Sequence, residues 1–226
     1  MPEVDNAIFY RIEPWISKWA EGDTFSIGVD RNRFTKDWQS ARIKFSPAQT
    51  VTPEYVNLAL TKTYDDLVER KQHRIEREEY EKLMLLLKST LDGIHTSVLG
   101  VREYAFEAVR LEKYSQLPSR MHCSFLVPDD PRCVKYWWDE LKTQEQGTQF
   151  LGERKIFKVK VSGIIHKVSQ EHLTPLRTCS VIQWRSLAEK YWGESSDESE
   201  EDEILFTGNL SVLERVQIST FGLQKS

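Results

Sequence analysis

The sequence predicts an α+β fold, read as a single domain over residues 1–226. Three observations carry that expectation. The elements run in a segregated order: a strand near the start, a helical block at about residues 52–115, then mostly strands. The length of 226 residues suits one domain with a sizeable core. Ten Phe, eight Tyr and seven Trp supply large apolar side chains for that core and exclude a chain disordered throughout.

In order, Ile8–Ile12 is a short apolar run with Arg11 embedded and Pro14 beyond it, which reads as a strand. Trp15, Ile16 and Trp19 suggest a helical turn, and Phe25–Val29 a second short strand. Arg31–Phe45 is polar and irregular, with Trp38 as an anchor. A helix begins with Thr52 as N-cap and Pro53 at the first helical position, and runs to about Ile75. A second, Glu76–Leu91, places Tyr80, Leu83, Met84, Leu87 and Leu91 at spacings of three and four. A third covers Val98–Lys113 and stops before Leu117-Pro118.

The second half is strand-rich. Met121–Val127 reads as a strand, followed by a turn at Asp129-Asp130-Pro131 and a short helix around Val134–Leu141. Ile156–Val161 alternates apolar and charged residues, the pattern of a strand with one wet face. Val181–Tyr191 reads as a helix. Ile204–Phe206 and Leu210–Ile218 read as two terminal strands joined by Thr207-Gly208-Asn209.

The formal charge of −4, from 31 basic and 35 acidic residues, hides a segregation. Residues 194–203 hold seven acids: Glu194, Asp197, Glu198, Glu200, Glu201, Asp202 and Glu203. Without that loop the balance is +3, so net charge does not exclude a nucleic-acid partner. No run approaches the roughly 20 apolar residues of a membrane-spanning helix, and the first residues lack the pattern of a secretory signal. Cys123, Cys133 and Cys179 form no CxxC pair, and the five His lie at no metal-ligand spacing, so neither a disulfide framework nor a metal site is expected. A cytoplasmic, membrane-free protein is the resulting expectation.

Several residues are candidates for chemistry. Arg11 in its apolar strand is either an ion-paired structural arginine or an anion clamp. Ser119 and Arg120, between a helix and a strand, form either a surface turn or a hydroxyl and guanidinium presented beside a ligand. Glu203 directly precedes an apolar strand. Glu103, Glu107 and Arg110 share a helix face, where structural pairing at a spacing of three accounts for them. Trp137-Trp138 and Tyr191-Trp192 are aromatic pairs of which at least one Trp each is expected in the core.

Taken together, these residues resemble the ADP-ribosyltransferase superfamily and, within it, an uncharacterised bacterial family. The likeness lies in FYRI at the N-terminus, REYAFEAVR (Arg102–Arg110), LPSRMHCSF (Leu117–Phe125), KYWGE (Lys190–Glu194) and EILFTGNLSVL (Glu203–Leu213). The resemblance implies two small antiparallel sheets flanking a cleft for NAD+, which is a substrate, with no metal. It implies that Arg11 contacts the adenosine-side ribose or phosphates, that Ser119 supports the nicotinamide ribose, and that Arg120 pairs with a phosphate. Glu203 becomes the catalytic carboxylate, stabilising an oxocarbenium-like ribose as nicotinamide leaves. Glu201 forms Glu-x-Glu with it, a pattern of superfamily members that modify arginine. The implied activity is transfer of ADP-ribose to RNA, DNA or protein, in an intracellular toxin or phage-defence effector held inactive by an inhibitory partner. The rival expectation is an inactive nucleotide- or protein-binding module of the same fold.

Overall fold

The computed structural model describes residues 3–14, 16–32, 35–36, 43–46, 49–51, 62, 77–145, 154–173, 181–194 and 199–222. The helix expected from Thr52 (apart from Lys62), the anchor Trp38 and Cys179 lie outside the described residues, as do residues 195–198 of the acidic run. The strands are β1 (Glu3–Pro14), β2 (Thr24–Ile27), β3 (Ile43–Ser46), β4 (Gln49–Val51), β5 (Ser124–Leu126), β6 (Arg154–Ser169) and β7 (Asp202–Val216). The helices are α1 (Arg77–Lys113), α2 (Pro131–Glu145) and α3 (Val181–Gly193), with short 3₁₀ turns at Gln170–His172 and Ile218–Phe221. The residues fall into two compact units, 1–35 with 103–226, and 36–102.

Within the second unit, β3 and β4 form an antiparallel hairpin in which Ile43 pairs with Val51. The two helices expected over Glu76–Leu91 and Val98–Lys113 are instead one helix of 37 residues. The connecting stretch, residues 91–100, holds Gly93 and Gly100 but no proline. A helical glycine costs about 1 kcal/mol yet keeps its backbone N–H, so the hydrogen-bond ladder continues.

The first unit is built on a five-stranded antiparallel sheet in the order β1-β6-β7-β2, with β5 also pairing β7. The α+β class with an antiparallel sheet is therefore observed. The strands carrying Arg11, Ser119-Arg120 and Glu203 belong to or adjoin this one sheet, not two. The cause is length. β6 and β7 run 16 and 15 residues, so β7 pairs with β5 at Ile204–Phe206 and with β2 at Gly208–Ser211 along the same edge. Reciprocal backbone bonds between Tyr10 and Val127 (2.8 and 2.9 Å) then tie β1 to the residue after β5.

β7 also corrects the expected turn at Thr207-Gly208-Asn209. The strand passes straight through, with Gly208 directly opposite Gly163 of β6. Both glycines have positive φ (138° and 154°). A Cβ on Gly208 would overlap the Ser162 carbonyl oxygen and lie 2.8 Å from the Gly163 Cα. The two strands approach closely here because neither residue has a side chain.

Alternation along the strands fills two clusters. Phe157, Val159 and Val161 pack with Leu126, Ile204, Phe206, Leu210 and Val212. Tyr10, Ile12 and Ile156 pack with Cys133, Val134 and Trp137 of α2 and with Ile218. Lys158 and Lys160, between the buried residues of β6, stay partly exposed, as the alternation predicts. In α3, Trp184, Ala188, Tyr191 and Trp192 are buried at spacings of four, three and one, one stripe of a helix facing the core. Trp137 is therefore the core member of its pair, and both Tyr191 and Trp192 are buried in the other.

Candidate functional site

The end of α1 presents Glu103, Phe106, Glu107 and Arg110 on one face, because positions i, i+3, i+4 and i+7 of a helix align. Arg110 is buried, and its guanidinium folds back on its own helix. Nε and Nη2 donate to the two carboxylate oxygens of Glu107 at 3.0 and 2.7 Å, so the expected helical pairing is present. Nη1 donates to the carbonyls of Ser115 and Leu117, both at 2.9 Å, which fixes the turn that follows the helix. That turn delivers Ser119 and Arg120.

Ser119 donates its hydroxyl to Glu107 Oε2 at 2.9 Å and accepts the Met121 N–H at 3.2 Å. Its carbonyl receives the N–H groups of His122 and Cys123 (3.1 and 2.8 Å), a tight turn that shortens the expected strand from Met121–Val127 to Ser124–Leu126. Asn32 locks the turn from outside, donating Nδ2 to the carbonyls of Arg120 and Cys123 at 2.6 and 3.1 Å.

Arg120 points the other way, into the protein. Its Nε donates to Glu103 Oε2 at 2.9 Å, and its Nη1 donates to both the Tyr191 hydroxyl and Glu203 Oε1. The Tyr191 hydroxyl donates to the same Glu203 Oε1 at 2.8 Å. The rings of Phe125 and Tyr191 lie 5.1 and 5.2 Å from the guanidinium carbon, close enough for cation–π attraction. Burial opposes the charge on Arg120, but the carboxylates of Glu103 and Glu203 keep it well above the ordinary arginine range. Burial likewise pushes the Tyr191 phenol well above its ordinary value, so it stays a proton donor at neutral pH.

This cluster revises two expectations. Arg120 does not present its guanidinium to a phosphate, because it is engaged by two carboxylates and a phenol inside the core. The acidic loop 194–203 is not uniformly solvated. Glu194 and Glu200 are exposed, but Asp202 and Glu203 are 1% and 5% exposed. Asp202 Oδ2 pairs with Lys167 Nζ at 2.7 Å and accepts the Ser199 N–H at 3.0 Å, while its carbonyl accepts Trp137 Nε1 at 2.9 Å. Burial first, then the Glu201 carboxylate, pushes the Tyr136 phenol upward, which puts Glu201 within electrostatic reach of α2.

Arg11 sits on β1 as expected. It is paired with Glu13 (Nε to Oε1, 2.6 Å) and donates Nη1 to the Phe125 carbonyl at 2.5 Å. Phe125 pairs with Leu205 of β7, so the four sequence candidates gather around β5 and the start of β7. Arg120 and Glu203 touch directly; Ser119 and Arg11 reach neighbouring groups. Tyr191 and Glu103 complete the cluster. Their helical positions are legible from spacing, but nothing in the sequence links them to residues 71 and 17 positions away.

Beside Ser119 opens a cleft of about 630 Å³. Its lining includes Glu107, Arg110, Ser119 and His122, and Gly163, Thr207 and Gly208 of β6 and β7. Its size is in the range of small-molecule sites. Among the described residues no group of His, Cys, Asp and Glu is arranged to hold a metal, and no helix is long and apolar enough to cross a membrane. Cys123 and Cys133 are free and buried, and burial pushes the Cys133 thiol up to about 11.

His166 gives this region a pH dependence. Its imidazole stacks on Trp192 (centroids 5.7 Å, 19° between planes), and its Nε2 is buried with no hydrogen-bond partner among the described residues. Burial lowers its pKa from the ordinary 6.5, partly opposed by a hydrogen bond to the Tyr191 backbone. The unfolded chain therefore takes up this proton first as pH falls. The stability contributed by the neutral ring is complete above the unfolded value and declines below it, by at most about 1.4 kcal/mol per pH unit. Urea unfolding at pH 7 and pH 5 should show a loss on acidification that is smaller in His166→Phe.

A family described as "Protein of unknown function (DUF2441)" matches residues 9–218, and the chain belongs to it. No curated protein matches the chain.

Proposed function

We propose that this member of the DUF2441 family is an ADP-ribosyltransferase acting on NAD+. The observation that carries the reading is the state of Glu203. It is a buried carboxylate at the start of β7, and both of its hydrogen bonds among the described residues fall on Oε1. Oε2 carries no hydrogen bond among the described residues, and the reading assigns a ribose hydroxyl to it.

In the proposed reaction the bond between nicotinamide nitrogen and the ribose anomeric carbon breaks, and its electron pair leaves with nicotinamide. The cationic sugar is stabilised by the Glu203 carboxylate, which Arg120 and Tyr191 hold in place. A nucleophile of the acceptor then attacks the anomeric carbon and loses its proton. Of the residues assigned to NAD+, Ser119 lines the cleft of about 630 Å³, whereas Glu203 and Arg11 are not among its lining residues; Arg11 instead donates to the Phe125 carbonyl of β5. The acceptor is a macromolecule, nucleic acid or protein; Glu194 and Glu200, in the loop that precedes Glu203, are exposed. The resemblance in sequence supports a toxin or phage-defence role restrained by an inhibitory protein, and we read the protein as cytoplasmic.

The test is to incubate the protein with labelled NAD+ and separate pools of RNA, DNA and protein. Label should pass to one pool. Glu203→Gln should lower the transfer rate by about 100-fold or more, whereas Glu201→Gln should transfer normally. One observation favours an inactive binding module instead: Arg120 and Arg11 both spend their guanidinium donors on protein groups. Absence of NAD+ binding and turnover in pure, partner-free protein would overturn the transferase reading, whereas NAD+ binding without turnover would favour the inactive module.

A further inference from the structure

We infer that Tyr191 is a positioning residue, which with Arg120 pins Oε1 of Glu203 and leaves Oε2 to meet the ribose hydroxyl. The inference rests on the transferase reading and names how its carboxylate is oriented. A glutamate carboxylate turns about a broad, roughly two-fold torsion, so a lone Glu exchanges its two oxygens freely. Two donors converging on one oxygen remove that freedom. Arg120 Nη1 carries two protons, directed at the Tyr191 hydroxyl and at Glu203 Oε1. The phenol accepts one of them and so directs its own single proton to Glu203, at 2.8 Å. The ring of three bonds therefore has a single sense.

Each member is held in turn. Tyr191 is 1% exposed, packed edge-on against Phe106 and Trp192 at 5.3 and 4.8 Å. Trp192 donates its indole N–H to the Phe106 carbonyl at 2.9 Å, which clamps α3 to α1 beside the phenol. Glu103, 2% exposed, fixes the far side of Arg120. Tyr191→Phe keeps the ring packing and removes only the hydroxyl, so it separates orientation from packing.

The experiment uses the full chain labelled with carboxyl-¹³C glutamate, the Glu203 resonance being identified by its loss in Glu203→Gln. In Tyr191→Phe that resonance should move. Nicotinamide release should then fall roughly 10- to 100-fold in kcat, with a smaller change in KM for NAD+, since the oriented carboxylate counts most as the cationic sugar forms. If Tyr191→Phe does not fold, Glu103→Gln, which loosens Arg120 from its other side, must move the same resonance and lower kcat. An unmoved resonance, or an undiminished kcat in a folded variant, overturns the inference. A wild type that never releases nicotinamide overturns the transferase reading and with it the catalytic role of Tyr191, while the resonance still reports whether the contact exists.

Discussion

Gly208→Ala should lower the unfolding free energy by about 3 kcal/mol or more. Two costs combine. At φ 138° an L-residue is strained, by about 1–3 kcal/mol. The added methyl also overlaps the Ser162 carbonyl and presses on Gly163, both backbone groups that yield only if β6 and β7 separate. Overpacking of that kind typically costs about 1–3 kcal/mol. In a chain of this size the melting temperature should drop by roughly 10 °C, measured by calorimetry. Gly163→Ala should behave alike, since its Cβ would collide with the Thr207 carbonyl and the Gly208 Cα. The control is Gly222→Ala, where φ is 71° and nothing lies within 4 Å. There the cost should be about 1 kcal/mol, that of the left-handed conformation alone. Equal losses at Gly208 and Gly222 would refute the close crossing of the strands.

Arg120→Ala should be the most damaging single substitution in the ion cluster, at about 3–5 kcal/mol, because it leaves buried carboxylates without their cation. The side chains of Arg120, Glu103 and Glu203 are 7%, 2% and 6% exposed, so water cannot take the place of the guanidinium. Denaturant unfolding measures the effect directly. Arg120→Met, which restores volume but not charge, should recover only part of the loss. An exposed pair gives the contrast: Lys113 and Glu189 approach to 2.7 Å but are 43% and 44% exposed. Lys113→Ala should leave the unfolding midpoint unchanged, since solvent screens such pairs. If Arg120→Ala unfolds at the wild-type denaturant concentration, the cluster is not a structural unit. The electrostatic fixation proposed for Glu203 would then lose its basis.

The sites of both predictions were only partly legible in the sequence. Gly208 sits between Thr207 and Asn209, which is turn chemistry in a single strand. Its real role needs Gly163 opposite, 45 positions away in sequence and adjacent only through the β6–β7 register. Ser119-Arg120 was recognisable as a junction between helix and strand, but the two side chains point to different partners, Glu107 and the Glu103–Glu203 pair. The acid-rich stretch reads as solvated because seven acids in ten residues repel one another in an isolated chain. Lys167 and Arg120, brought from other elements, make Asp202 and Glu203 the exceptions. Tyr191 reads as one more core aromatic, and its ring is that. Only its hydroxyl does something else.

The sequence by itself determined the α+β order, the strand positions of Arg11 and of Ile204–Phe206, the helix at the C-terminal side of residue 181 and the Glu107–Arg110 pair. Each depends on residues within a few positions of one another, where the periods of helix and strand are written into the chain. Tertiary structure decided that Arg120 meets Glu203 across 83 positions, that Tyr191 joins them, and that two glycines let β6 and β7 touch. Those contacts depend on strand register and on which charges lose their water together, and neither quantity is a property of any local stretch.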